Sequence, residues 1–323
     1  MVTQDPSPLL IVGAGAMAQA YSAVLADLAW PHTAVSRSPS SAERFRAATG
    51  VDCQRGGLAA LLEKAGAPSV AIVAAPVADL AECGQALIAA GCKKILIEKP
   101  GGASPAEITR LARAAANAKV AVFVAYNRRF YASVRKLRTL AAEDGGITSF
   151  TFEFTEVADT VAKLPYPAAV LANWELANST HVIDTAFFIA GAPRHVHGVV
   201  AGALPWHPRC ARFAGHGVTE AGASFSYSAD WDAPGRWGIE INTRLRRLVL
   251  RPMEKLHIQK RGSFSLDAVE IDDDLDRRFK PGLHRQTAAF LLDEGREDLA
   301  DIAWHEQAIA FVAKHIMCED TTA

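Results

Sequence analysis

No CxxC pair occurs anywhere in this sequence. Its five cysteines, Cys53, Cys83, Cys92, Cys210 and Cys318, are scattered along 323 residues. That pattern excludes a disulfide framework and a zinc site, and it fits reduced thiols in a cytoplasmic protein with no structural metal. No block of like charge is present and the formal net charge is −1, so no nucleic-acid footprint is expected. No uninterrupted apolar run reaches ~18 residues, so no segment is expected to span a membrane. The segment Met1–Ser7 is polar and carries an acid, which is not the pattern of a secretory signal. There is no internal repeat, and the one biased run, Asp272-Asp273-Asp274, reads as a solvated loop. What remains is an ordinary globular composition, 50% hydrophobic and 21% charged, long enough for two domains.

The first strong local signal is Leu9-Leu10-Ile11-Val12 running into Gly13-Ala14-Gly15-Ala16-Met17-Ala18. A short apolar strand, the turn G-x-G-x-x-A and an amphipathic helix with Tyr21, Val24, Leu25 and Leu28 on one face follow in order. This is the dinucleotide-binding arrangement. Gly13 permits the tight turn, Gly15 lets the backbone approach a pyrophosphate, and Ala18 allows close helix–strand packing. Ala16 and Met17 open the helix whose positive end would face the phosphates. The acid expected about 20 residues later, for a ribose 2′-hydroxyl, is missing. The second strand, His32–Val35, ends instead at Ser36-Arg37. A hydroxyl and a guanidinium suit a 2′-phosphate, so NADP is preferred over NAD. The alternative is a solvated Arg37 and a site that accepts both.

Alternation of strand and helix continues. Leu58–Lys64 and Ala78–Ala90 read as helices, and Ser69–Ala74 as a strand ending at Ala75-Pro76. Ile95–Ile97 ends abruptly at Glu98-Lys99-Pro100-Gly101-Gly102, an acid, a base and a proline at the open end of a buried strand. Burying a lysine without a partner is costly, and Pro100 biases Lys99 towards an extended conformation, so its side chain is aimed. Ser104, Pro105 and Glu107 form a capping box for the next helix, and Val120–Val124 is a further strand. Repeated βα units with short joins predict a parallel sheet covered on both faces, with ligands beyond the carboxyl ends of its strands.

The second half has a different rhythm. A helix is expected over Arg129–Ala142, with a turn at Glu143–Gly146. Phe150, Phe152 and Phe154 then alternate with polar residues, as do Phe225, Tyr227 and Trp231, and Trp237, Ile239 and Ile241. Further strands are expected near Arg246–Leu250 and Leu256–Gln259. Such strands predict an antiparallel sheet with one face covered by helices. In the segment Trp174–Gly191, Asn178 or Ser179 is expected to cap a helix that carries His181 in its first turn and Asp184 at i+3. Histidine is a suitable proton acceptor near neutral pH. Ile302–Ile316 reads as a packing helix.

These residues resemble the glucose–fructose oxidoreductase and inositol dehydrogenase (Gfo/Idh/MocA) family. The match runs through the Gly13–Ala18 turn, Ala74-Ala75-Pro76, Glu98-Lys99-Pro100, Tyr126-Asn127-Arg128-Arg129-Phe130 and Asn178-Ser179-Thr180-His181-Val182-Ile183-Asp184. The resemblance implies an α/β chain. A Rossmann dinucleotide-binding domain (1–126) would precede a substrate-binding and oligomerisation domain (127–323) built on an open, mainly antiparallel sheet. It implies a nicotinamide-dependent oxidoreductase acting on a sugar, cyclitol or nucleotide sugar, with Lys99 and His181 flanking the reacting carbon and a Lys–Pro bond that is often cis. Ala75, Pro76, Glu98, Lys99 and Asn127 join the glycine turn, Ser36 and Arg37 around the cofactor. Lys99, Tyr126, Arg128, Trp174, Asn178, His181 and Asp184 form the substrate set. Arg128 would hold an anionic substituent or bridge the two domains. Lys280–Gln286 is a candidate cover for the site or a plain helix entry.

The sequence departs from the family at Ala177 and Ser179, where many members carry an aspartate and a glycine. Glu175, Asn178 and Asp184 are the side chains available to replace the acid. Two other readings follow from the family and from that departure. One is a nicotinamide-dependent lyase or glycosidase with no net redox, the other a catalytically silent NAD(P)-binding regulatory protein. The open sheet face predicts a homodimer or homotetramer.

Overall fold

The computed structural model describes residues 8–319; the segment Met1–Ser7 lies outside them. The chain divides into two compact units. One comprises the described residues up to Tyr126 together with Arg277–Glu306, and the other comprises Asn127–Asp276 and the described residues from Gln307 onward.

The strands of the first unit are β1 (Leu9–Val12), β2 (His32–Ser36), β3 (Cys53–Arg55), β4 (Val70–Val73), β5 (Lys94–Ile97) and β6 (Ala121–Val124). They pair in parallel in the order β3-β2-β1-β4-β5-β6. A two-residue strand, Ala300–Asp301, adds antiparallel to β6. The order reverses between β1 and β4, and in a doubly wound sheet that reversal leaves a crevice at the carboxyl ends of the strands. Helices cover the sheet because its central strands are apolar: all four residues of β1 are buried, and so are the last three of β4, β5 and β6. Each such side chain contributes about 1.5–3 kcal/mol by leaving water. A capping box shifted by one residue forms: Ser104 Oγ accepts from Glu107 N at 3.3 Å, and Glu107 Oε2 accepts from the amide of Ala103, just before the cap, at 2.8 Å. Together with Pro105 in the first turn, it starts the helix Pro105–Ala118.

A boundary at residue 126 that assigns everything after it to a second domain is corrected by the return of Arg277–Glu306. The physical reason is a set of long-range contacts to the first helix, Ala16–Asp27. Arg278 and His284 both bind the carboxylate of Asp27, at 2.7 and 3.0 Å. The segment Lys280–Gln286 does enter a helix, Leu283–Leu292.

The second unit holds β7 (Ser149–Glu153), β8 (Pro193–Ala201), β9 (Arg212–Thr219), β10 (Ser224–Asp230), β11 (Gly238–Asn242), β12 (Arg246–Leu250), β13 (His257–Lys260) and β14 (Asp267–Ala268). They form one eight-stranded sheet in the order β14-β13-β12-β11-β7-β10-β9-β8. Every pairing is antiparallel except β7 with β10. The alternating aromatics of β7 and β10 stack in register, Phe150 on Phe225 at 5.2 Å and Phe152 on Tyr227 at 5.4 Å. Phe187, from the helix Thr180–Ala190, meets them edge-on, and Val134, Leu137 and Leu140, from Ala132–Glu143, complete the core. On the other face Thr151, Ser224, Ser226 and Ser228 are exposed.

Strands β8 and β9 are not among the alternating segments read from sequence. Their interior positions carry glycine where rings from β10 need the space: a Cβ on Gly215 would lie 2.3 Å from Tyr227 Cζ, and one on Gly217 2.6 Å from Phe225 Cζ.

Candidate active site

The glycine turn has the geometry a dinucleotide requires. Gly13 adopts φ +121°, and a Cβ there would sit 2.3 Å from the carbonyl oxygen of Ala74, so no side chain fits. Gly15 faces open space and stands at the N-cap of Ala16–Asp27 with no side chain capping that helix. The first amides of the helix therefore lack an internal partner and are free to meet an anion. Gly15 and Ala16 are exposed, Met17 is half-buried, and Ala18 is fully buried, as close packing requires. Ala75 and Pro76 follow β4 directly beside Gly13.

Ser36 ends β2. Arg37, the next residue, binds the carboxylate of Asp79 at 2.5 Å, and its stem passes over Gly57, where a Cβ would come 3.0 Å from Arg37 Cγ. Arg37 is therefore not simply solvated: its guanidinium has a carboxylate partner.

Lys99 follows β5 and is 8% exposed. The backbone around it is pinned on both sides. Before it, Glu98 N donates to Val73 O at 2.8 Å, and the Glu98 side chain accepts from Tyr21 Oη at 2.7 Å. After it, the Lys99–Pro100 bond is cis, and Pro100 O accepts from His305 Nε2 at 2.8 Å. With Nε2 donating, His305 Nδ1 accepts from Tyr126 Oη at 3.3 Å. Tyr126 is buried and packs against His305 and Trp304. Burial raises the Glu98 carboxyl above its ordinary range, opposed by the Tyr21 hydrogen bond and by the charges of Lys280 and Lys99. Burial likewise pushes the Tyr21 phenol well up. Glu98, assigned from sequence to cofactor binding, thus ties the lysine's strand end to the first helix.

In the second unit, the expected helix cap does not form. The turn Glu175–Ser179 is a π-helix that runs straight into Thr180–Ala190, so Asn178 and Ser179 lie inside a continuous helical path. Such wide turns re-aim side chains and recur at functional sites. The side chains that would have capped are engaged elsewhere. Asn178 Nδ2 donates to both oxygens of Glu156, at 3.1 and 3.0 Å, and Ser179 Oγ donates to one at 2.7 Å. The His181 ring lies 6.3 Å from that of Trp237, and the same indole carries the Arg128 guanidinium at 4.7 Å. His181, Trp237 and Arg128 form one cluster.

The acids available to replace the one absent at Ala177 are committed. Glu175 accepts from Arg209 at 2.7 Å and contacts His207 Nε2 at 2.9 Å. Asp184 does not pair with His181. It binds Arg129 bidentately, at 2.9 and 2.6 Å, in a buried pair. Burial raises the Asp184 carboxyl, and the Arg129 charge opposes that shift. Trp174 is buried, packed on Tyr166 and Trp206, and its Nε1 has no hydrogen-bond partner among the described residues. Asn127 is buried.

Sequence reasoning missed Tyr21, Asp79, Glu156 and His305 as site-supporting residues. Their partners are distant in the chain, 77 residues for Tyr21 and Glu98 and 205 for His305 and Pro100, so no local pattern marks them. No group of histidine, cysteine and carboxylate side chains among the described residues has the arrangement of a metal site.

Comparison with curated proteins finds no match. Solved structures match over nearly the whole chain. UDP-N-acetylglucosamine 3-dehydrogenase GnnA from Acidithiobacillus ferrooxidans is 15% identical, with TM-score 0.73, covering 96% of this chain and 97% of its own. A levoglucosan dehydrogenase in complex with NADH and levoglucosan is 18% identical, with TM-score 0.74, covering 97% and 96%. The WlbA dehydrogenase from Bordetella pertussis, in complex with NADH and UDP-GlcNAcA, is 14% identical, with TM-score 0.71, covering 96% and 95%. At these identities the likeness carries the fold: a Rossmann-type domain with a second α/β domain on a mostly antiparallel sheet. Residues 8–126 match the model of the Gfo/Idh/MocA oxidoreductase family, described by its NAD-binding Rossmann fold.

Proposed function

We propose that this protein is an NAD(P)-dependent dehydrogenase or reductase acting on a hydroxyl or keto carbon of a sugar, cyclitol or nucleotide sugar. The observation that carries the reading is Lys99, buried at the carboxyl end of β5 and held on both sides by Tyr21–Glu98 and His305–Pro100. A lysine so fixed, in a sheet whose glycine turn fits a dinucleotide, suits an electrophilic role better than a structural one. The sugar and nucleotide-sugar ligands named for the structural neighbours set the classes to screen.

The nicotinamide, when bound, supplies hydride transfer. Gly13, Gly15, Ala16 and Met17 would hold the pyrophosphate, and Ser36 and Arg37 would meet the adenine-side ribose, favouring NADP. Lys99 would donate to the reacting oxygen and stabilise its developing negative charge. His181 would accept the proton on oxidation and return it on reduction. Arg128, over the Trp237 ring beside His181, would take an anionic substituent of the substrate. The uncovered face of the second sheet supports a homodimer or homotetramer, and unpaired cysteines support a cytoplasmic setting. Among the described residues no helix is long and apolar enough to cross a membrane.

The test is a screen of sugars, cyclitols and nucleotide sugars for formation or consumption of reduced cofactor, read by absorbance with NADP and with NAD. Turnover with at least one class supports the reading. Product of unchanged oxidation state, formed with a cofactor that never exchanges, would move the protein to a lyase or glycosidase. A second reading, a silent NAD(P)-binding regulator, is favoured by Ala177 and by the engagement of Glu175 and Asp184 elsewhere. Cofactor binding without turnover on any class would support it.

A further inference from the structure

Asp79 closes the short 3-10 turn Val77–Asp79 and leads straight into the helix Leu80–Ala90, with helical backbone angles and no side-chain capping bond. With a helical backbone at this position, the side chain has no capping role to play. The carboxylate instead reaches Arg37, 42 residues away in sequence, at 2.5 Å. Arg37 lies one residue beyond the end of β2, where a doubly wound fold reads the cofactor's 2′ position. The Arg37 stem is seated over Gly57, whose φ of +84° disfavours a side chain there. Guanidinium, carboxylate and glycine seat therefore form one assembly around the position that distinguishes a 2′-hydroxyl from a 2′-phosphate.

We propose that Asp79 is a specificity-determining residue for the cofactor. This rests on the reading that Arg37 meets the 2′ position. With the pair closed, the charge of Arg37 is balanced, and a 2′-hydroxyl is accepted without penalty. A 2′-phosphate must draw Arg37 away from Asp79 and tolerate a carboxylate nearby. The side chain of Arg37 is 74% exposed and that of Asp79 22%, so the pair is a weak latch. An exposed pair of this kind holds back a competing anion by up to about fivefold, and the like charge of the carboxylate adds to that. Asp79 thus tempers the NADP preference that Arg37 alone would give and keeps NAD usable.

The experiment needs no substrate. The wild-type protein and the Arg37→Ala and Asp79→Asn variants are titrated with NADP and with NAD, followed by tryptophan fluorescence and by thermal stabilisation. Asparagine keeps the size of aspartate and removes only its charge, and the cofactor-free melting temperature checks that the helix is spared. Arg37→Ala should weaken NADP selectively. Asp79→Asn should tighten NADP by about three- to tenfold and leave NAD within about twofold. If Arg37→Ala lowers the NADP-to-NAD affinity ratio but Asp79→Asn leaves it unchanged, the role of Asp79 is overturned while that of Arg37 stands. If neither variant moves the ratio, the placement of Arg37 at the 2′ position fails, and the proposal fails with it.

Discussion

At the scale of single residues, Lys99 is a buried lysine of the first unit whose flanking residues are held in place. A buried ammonium costs free energy unless its surroundings are fixed to receive it. Here the neighbours of Lys99 are held: the Glu98 carboxylate by Tyr21, and the Pro100 carbonyl by His305, itself bonded to Tyr126. His305→Ala would leave the Pro100 carbonyl without its donor. We expect a loss of about 1–3 kcal/mol in stability and a fall in kcat with little change in NADP affinity, measured by urea denaturation and steady-state kinetics. Retention of full kcat would mean that the histidine only supports folding. The tripeptide Glu98-Lys99-Pro100 was legible because proline, charge and a preceding apolar run are local signals. His305 was not, because its meaning depends on a carbonyl 205 residues away.

At the scale of elements, the sequence signals failed where neighbouring strands decide what a position needs. Strands β8 and β9 have glycines instead of an apolar alternation because Phe225 and Tyr227 already fill that layer. Gly215→Ala should therefore destabilise by about 1–3 kcal/mol through overpacking, seen as a lower melting temperature; an unchanged melting temperature would show that Tyr227 can move aside. The strand Cys53–Arg55 is too short for a periodic signal. The expected cap at Asn178 or Ser179 gave way because both side chains serve Glu156, itself invisible in local pattern.

The turn after Ala132–Glu143 is locked to β12 through Asp144. Hydrogen bonds from Arg246, at 2.7 and 2.5 Å, hold its carboxyl below the ordinary range, with help from the Thr243 hydroxyl. A depressed folded pKa contributes stability that is complete above the unfolded value, about 3.9, and is lost as pH falls through the folded one. Asp144→Asn should lower stability near pH 7, and its deficit relative to wild type should shrink below about pH 4. A deficit that does not change with pH would contradict the charge-assisted account.

At the scale of the whole molecule, the two sheet types were legible from the change of rhythm along the sequence: βα repetition first, aromatic alternation later. The return of Arg277–Glu306 to the first unit was not, since it rests on Asp27 contacting Arg278 and His284 more than 250 residues on. One face of the second sheet is packed by helices, while Thr151, Ser224, Ser226 and Ser228 on the other are exposed. We expect that face to carry a self-association surface. Light scattering at micromolar concentration should give a dimer or tetramer, and a monomer would refute it.

The central claim is that Lys99 and His181 perform oxidoreductase chemistry on a cofactor held by the glycine turn. The measurement that bears on it most directly compares wild type with Lys99→Ala and His181→Ala, on whichever sugar, cyclitol or nucleotide sugar supports turnover, alongside cofactor titrations of all three proteins. The account predicts that each variant loses roughly a hundredfold or more in kcat while binding NADP nearly as well as wild type. Full turnover in either variant would contradict it.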